Sequence, residues 1–298
     1  MSFESNYDQG PRRSSLAGSL LSLLFRSPRL LGAIAVLVIG AITYYTKTET
    51  VHNPVTGKEV RVVKGLSPEQ EVALGLQSVP EMSRQFGGEM RDPVSGQLVD
   101  RIGARLVAAK DNILKRRGIQ DYPYPFDFHV LNDNKTINAF ALPGGQIFIT
   151  QALLRQLPNE DAVAGVLGHE IGHVVARHSN QQMAKNKLLQ SYAQAAAVAT
   201  SNGYGNGSAI GQMVGQFLQT SYSRDAELEA DRLGVQLLLV AGFEPEALLQ
   251  VMAVLQNSMK GPRPPEMLST HPYPEARVAQ IKKYIPFFRK DPYAVWKD

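Results

Sequence analysis

The strongest constraint on this chain is one uncharged stretch that runs straight into three polar residues. Residues 162–168 read Ala-Val-Ala-Gly-Val-Leu-Gly, and His169-Glu170-Ile171-Gly172-His173 follow directly. Asn159 is a good N-cap, and Glu160 and Asp161 suit the first turn, so the pattern predicts a buried helix that carries the histidines. Spacing of four puts His169 and His173 on one helix face, one turn apart. Two imidazoles so placed can bind one zinc ion, and Glu170 beside them can take a proton from water that the ion activates. The plain alternative is two core histidines and a stray Glu. Burying them in so apolar a helix without a shared task is costly, which speaks against it.

A catalytic zinc needs a third protein ligand and an open position. The chain has no cysteine. That excludes thiolate ligands, a disulfide framework, a cysteine nucleophile and a lipid-modified N-terminal cysteine, and leaves His, Asp or Glu. A third His six residues after His173, with Gly midway, is ruled out because Ser179 and Ala176 occupy those positions. His178 falls about 140° around a continuing helix and stays unassigned, at the surface or behind a ligand. A later helix offers acids in the run Ser223-Arg-Asp-Ala-Glu-Leu-Glu-Ala-Asp231. Glu227 and Glu229 are both candidates. Glu227 has the better-placed partner, since Asp231 shares its face and can hydrogen-bond a ligand histidine from behind. A solvated acidic face is the ordinary meaning of such a run, but Ala226, Leu228, Ala230, Leu233 and Val235 indicate a packed helix.

Around these two helices the pattern is α+β, mainly helical with a small β-sheet. Ser67-Pro68-Glu69-Gln70 reads as a helix start with a capping box. A second helix is expected from about Pro93 to Lys110. Phe126, Phe128 and Val130 alternate with Asp127 and His129 as in a strand, and residues 137–149 read as a strand pair broken at Pro143-Gly144-Gly145. The stretch Gly145–Ile149 is expected to offer an edge to an extended substrate. Long helices are expected over 212–241 and 245–258, a flexible loop over 201–208, a Pro-rich loop over 259–274 and a short helix from Glu275 to Tyr284.

The N-terminal part differs. Residues 1–29 are polar and basic, and residues 30–46 begin with an uncharged run, Leu30 to Tyr45. Sixteen residues span about 24 Å, slightly short of a ~30 Å hydrocarbon core, and Arg29 with Tyr44 and Tyr45 can complete the fit. No small-x-small cleavage site follows the run, so a retained single-pass anchor is expected over 30–46. Residues 15–25 suit a short interfacial helix. Arg26 and Arg29 favour a cytoplasmic N-terminus and an exported main domain. Residues 47–65 read as a linker with a turn at Asn53-Pro54 and Gly57. The net charge of +4, with no dense Lys/Arg block, disfavours nucleic acid as a partner and is compatible with an anionic bilayer.

Four segments in order, NAFALPGG (138–145), GHEIGHV (168–174), SRDAELEAD (223–231) and STHPYPEAR (269–277), give the chain a resemblance from about Leu66 to Ile285. It is similar to the membrane-linked zinc metallopeptidases that include HtpX, the type I CAAX prenyl endopeptidases, the mitochondrial inner-membrane overlapping-activity peptidase and BepA. The resemblance implies a zincin-type metallopeptidase domain over 66–298 with one Zn2+ per chain. It implies that His169, His173 and Glu227 bind zinc, that Glu170 is the base, and that Asp231 supports a ligand. It also implies that His271 lies near the site on the substrate side or as a regulatory group.

On its Pro-bounded loop, His271 can donate to an oxyanion, latch the open metal position, or merely cap the next helix. A single apparent span favours the single-span or periplasmic branch over prenylated-peptide processing. The expected activity is hydrolysis of peptide bonds in unfolded membrane or envelope proteins, at the bacterial inner membrane or, alternatively, the mitochondrial one. The competing class is a chaperone or scaffold on the same fold, and a zinc amidase is a further alternative.

Overall fold

A computed structural model describes residues 28–120, 122–186, 221–259, 265–272 and 274–296. The expected loop at 201–208, the interfacial helix at 15–25 and the first part of the helix expected from 212 lie outside the described residues.

The described residues divide into two units, the first holding Pro28–Thr46 and Asn186 and the second the described residues of Lys47–Lys185 and of the chain from Ser221 on. Pro28–Lys47 is helix α1, all but its last residue in the first unit. Among the described residues no helix is long and apolar enough to cross a membrane. A helix thus covers residues 30–46 as expected, but it does not meet the length and apolarity of a membrane span.

The second unit begins with a hairpin where a linker was expected. Strand β1 (Thr48–Asn53) pairs antiparallel with β2 (Lys58–Val63), from Thr48 opposite Val63 to Asn53 opposite Lys58. The turn stands where Asn53-Pro54 and Gly57 put it. The valines decide the rest: Val60, Val62 and Val63 are buried, so the segment packs onto the domain instead of crossing solvent. Asn53 fixes it there by donating from Nδ2 to the Val175 carbonyl at 3.1 Å.

Helix α2 (Pro68–Gln85) starts at the expected capping box, Ser67 accepting from Gln70 N while the Gln70 side chain accepts from Ser67 N. Helix α3 (Pro93–Arg116) outruns its expected end because no residue breaks it before Gly118, whose φ is +76°. A three-stranded sheet follows, with β3 (Asp127–Leu131), β4 (Ala139–Ala141) and β5 (Gln146–Thr150) in the order β3-β5-β4. Strand β5 runs parallel to β3 and antiparallel to β4. It is thus central and wholly buried, so the expected substrate edge at Gly145–Ile149 is corrected. Its unbroken Gln-Ile-Phe-Ile-Thr run is that of an inner strand. The β4–β5 turn needs glycine: Gly145 has φ +105°, and a Cβ there would lie 2.0 Å from the Pro125 carbonyl oxygen.

After the short α4 (Gln151–Leu154), helix α5 (Glu160–Val175) carries the two histidines, capped by Asn159 as expected and buried from Ala162 to Val175. Helix α6 (Arg224–Ala241) lies along it. Helices α7 (Ala247–Ser258), α8 (Met267–Thr270) and α9 (Pro274–Lys290) close the core. The Pro-rich segment thus holds a helical turn, and α9 continues past Pro286 because Ile281, Tyr284, Ile285 and Phe288 bury one stripe.

Helices α5 and α6 meet backbone to backbone. A Cβ on Gly172 would lie 2.8 Å from the Ala230 carbonyl oxygen and 3.0 Å from its Cα. Gly172→Ala should therefore wedge the pair apart and cost about 1–3 kcal/mol in urea unfolding. A wild-type unfolding midpoint would contradict this packing.

Candidate metal centre

The close approach of α5 and α6 puts an acid opposite the histidine face. One donor atom from each of His169, His173, Glu227 and His271 lies within 4.8 Å of the others, and all four residues are buried. His173 Nε2 is 3.0 Å from His169 Nε2, and both nitrogens face Glu227, His169 to Oε2 at 3.5 Å and His173 to Oε1 at 3.4 Å. His271 Nδ1 stands 3.1 Å from Glu227 Oε1. The turn at α8 brings it in: the His271 backbone N–H donates to Met267 O at 2.7 Å, and Met267 N donates to Ile137 O at 3.2 Å. The imidazole is therefore in the group and not at the surface of a loop.

Asp231 Oδ1 lies 2.9 Å from His169 Nδ1, on the far side of the ring from the cluster. Glu229, the other acid left open by the sequence, points away to His178, Lys58 and Arg232. Glu170 is fully buried, and among the described residues neither carboxylate oxygen has a hydrogen-bond partner. His271 Nε2 is 3.7 Å from Glu170 Oε1.

Three residues at the centre carried no assignment from sequence. Arg277, fully buried, donates from Nε and Nη2 to Asp231 at 2.8 and 2.7 Å, and its Nη1 is 2.8 Å from Glu227 Oε2. Its signal was available, because Arg277 shares the apolar stripe of α9 with Ile281, Tyr284 and Phe288. The Tyr222 ring stacks on His173 with centroids 4.1 Å apart, which no local pattern announces. His178 is the third; its Nδ1 is 2.9 Å from His173 Nδ1.

The charges sort by neighbour. Burial and Arg277 oppose a charge on His169, but Asp231 and Glu227 outweigh them and bring its pKa up to about 9. Burial pushes His173 well below the ordinary histidine range. Burial also opposes charge on Glu227 and Asp231; His271 and Arg277 hold Glu227 well down, and Arg277 with His169 holds Asp231 down. Burial raises the Tyr222 phenol.

The donor set fits a metal cation. It is made of nitrogen and carboxylate oxygen only, its residues are buried, and among the described residues its carboxylates Glu170, Glu227 and Asp231 outnumber the guanidinium of Arg277. The unpartnered Glu170 oxygens are also what a reacting group, and not a structural one, leaves behind.

Comparison with known proteins agrees with this geometry. The model of peptidase family M48 matches residues 99–285. The chain is 32% identical over 241 residues to a beta-barrel assembly-enhancing protease of Yersinia pestis, covering 78% of this chain and 47% of that protein. It is 33% identical over 172 residues to the mitochondrial metalloendopeptidase OMA1 of Saccharomyces cerevisiae, covering 54% of this chain and 47% of that one. With OMA1 of Schizosaccharomyces pombe it shares 28% identity over 262 residues, 85% of this chain and 71% of the relative. The chain spans about half the length of the bacterial relatives it matches.

Removing Arg277 would leave Asp231 and Glu227 buried with too little positive charge. In the presence of a chelator, Arg277→Met should lose about 3–5 kcal/mol in denaturant unfolding, and added zinc should return part of it. Wild-type stability in chelator would show that Arg277 does not carry this balance.

Proposed function

The chain belongs to peptidase family M48, and from that membership we propose that it is a membrane-attached, zinc-dependent endopeptidase acting on membrane or envelope proteins. The observation that carries this is the buried His169–His173–Glu227 group with the unpartnered Glu170 beside it. His169, His173 and Glu227 would hold the ion. Zinc supplies a Lewis acid that polarises the scissile carbonyl and lowers the pKa of water. Glu170 accepts the proton of the attacking water and passes it to the leaving amine. Asp231 accepts from His169 Nδ1–H and keeps Nε2 turned to the group. Arg277 in turn fixes Asp231. A scaffold on this fold would gain nothing from burying Glu170 without a partner.

Peptide substrates would add to the sheet at β4, which pairs with β5 on one side only among the described residues. Backbone pairing of that kind tolerates many sequences, which suits quality control of unfolded chains. The uncharged run 30–46 and the exposed Leu37, Val38, Ile39 and Ile42 support attachment to a bilayer through α1. The bacterial relatives, named for β-barrel assembly, support an enzyme of the bacterial envelope, and the basic Arg26 and Arg29 before the run favour an inner-membrane anchor with the peptidase domain exported. The mitochondrial relatives support a mitochondrial enzyme as the second reading.

His271 sits where a fourth ligand would, and we assign it the latch: it holds the site closed until substrate displaces it. Two measurements test this account. Glu170→Gln should keep fold and zinc while proteolysis of casein falls by about 10²–10⁴; activity within a few-fold of wild type would reject Glu170 as base. His271→Ala should raise proteolysis and self-cleavage, because it frees the position that substrate must take. A fall of ~10²–10³ with zinc retained would instead make His271 an oxyanion donor.

A further inference from the structure

The two ligand histidines are not supported alike. His169 Nδ1 faces a carboxylate, Asp231, directly. His173 Nδ1 faces another imidazole, His178, at 2.9 Å. The far nitrogen of that ring, His178 Nε2, is 3.2 Å from Glu229 Oε2. Glu229 is itself fixed by Lys58 Nζ at 3.1 Å and Arg232 Nη2 at 3.0 Å. All of these except Lys58 are buried, so water does not compete for the bonds.

On a continuing helix His178 would point away from His173. The chain avoids this by breaking the helix between them. Helix α5 ends at Val175, Arg177 takes φ +59°, and helical backbone resumes at residue 178. A left-handed conformation is unfavourable for a residue with a side chain and persists only where its surroundings impose it. Here Glu71 of α2 imposes it: its carboxylate, 2% exposed, accepts from Arg177, from Asn180 Nδ2 and from the Tyr124 hydroxyl. Asn180 Oδ1 also accepts from Val63 N of the hairpin at 2.7 Å. The segment that returns His178 to His173 is thus held from both sides.

We infer that His178, backed by Glu229, is a positioning residue that sets the ring of His173 so that Nε2 faces the metal. With Nε2 committed to the ion, Nδ1 carries the proton and donates it to His178 Nδ1. His178 must then carry its own proton on Nε2 and donate it to Glu229. The order of donors is fixed from Glu229 to the site, because a carboxylate can only accept. This rests on the zinc reading proposed above and extends it to a residue outside the ligand group.

The test is zinc affinity of the full chain, by competition with a chelator, alongside the melting temperature of the metal-free protein. His178→Ala should weaken zinc binding by roughly 10–100-fold, and His178→Gln, whose amide oxygen can accept from Nδ1–H, should recover most of the loss. Glu229→Gln should weaken binding toward the lower end of that range, and it decides the matter if His178→Ala does not fold. A merely structural His178 would lower the melting temperature while leaving zinc affinity within about threefold, and that result overturns the inference. Wild-type protein that takes up no zinc would remove the metal reading itself, and this inference with it.

Discussion

Everything at the centre of this molecule depends on how closely α5 and α6 approach. Glu227 faces His169 and His173 because Gly172 lets the Ala230 backbone lie where a side chain would otherwise stand. On α6, Gly234 faces the same seam, but a Cβ there would meet the His169 backbone nitrogen at 3.4 Å, an ordinary contact, so Gly172 is the glycine that the close approach needs.

The second dependence is electrostatic. A buried carboxylate is tolerated when something positive answers it, and Arg277 answers Asp231 and Glu227 together. Glu170 feels the same cation from a distance, but among the described residues its oxygens have no hydrogen bond. The group is thus short of positive charge, which a divalent cation would supply. Helix α9, which supplies Arg277, and the turn at α8, which supplies His271, belong to one short segment of chain, so the cation and the fourth imidazole of the group come from the same place.

Much of this was legible from residues alone. The helix with His169 and His173, its Asn159 cap, the capping box at Ser67, the two strands around Pro143-Gly144-Gly145 and the acid at Glu227 follow local rules of periodicity, capping and spacing. Contacts distant in sequence were not legible. The hairpin at 48–63 looked like a linker because its valines acquire a face only against the domain. Strand β5 looks like an edge because it follows the Pro143-Gly144-Gly145 turn, although its unbroken run already carries the pattern of an inner strand. His178 was unassigned because the geometry assumed an unbroken helix, and only the Glu71 network, more than 100 residues away from Arg177 in the chain, reveals why the helix breaks. Arg277 was missed although a lone cation on an apolar stripe is itself a signal of a buried acid.

A zinc site built from His169, His173 and Glu227 would show itself in X-ray absorption at the zinc edge of the purified full chain after exhaustive dialysis. The expected result is one zinc per chain with nitrogen and oxygen ligands at about 2.0–2.2 Å and the outer-shell scattering of at least two imidazoles. Zinc lost on dialysis, or a spectrum of hydrated zinc without imidazole, would contradict it.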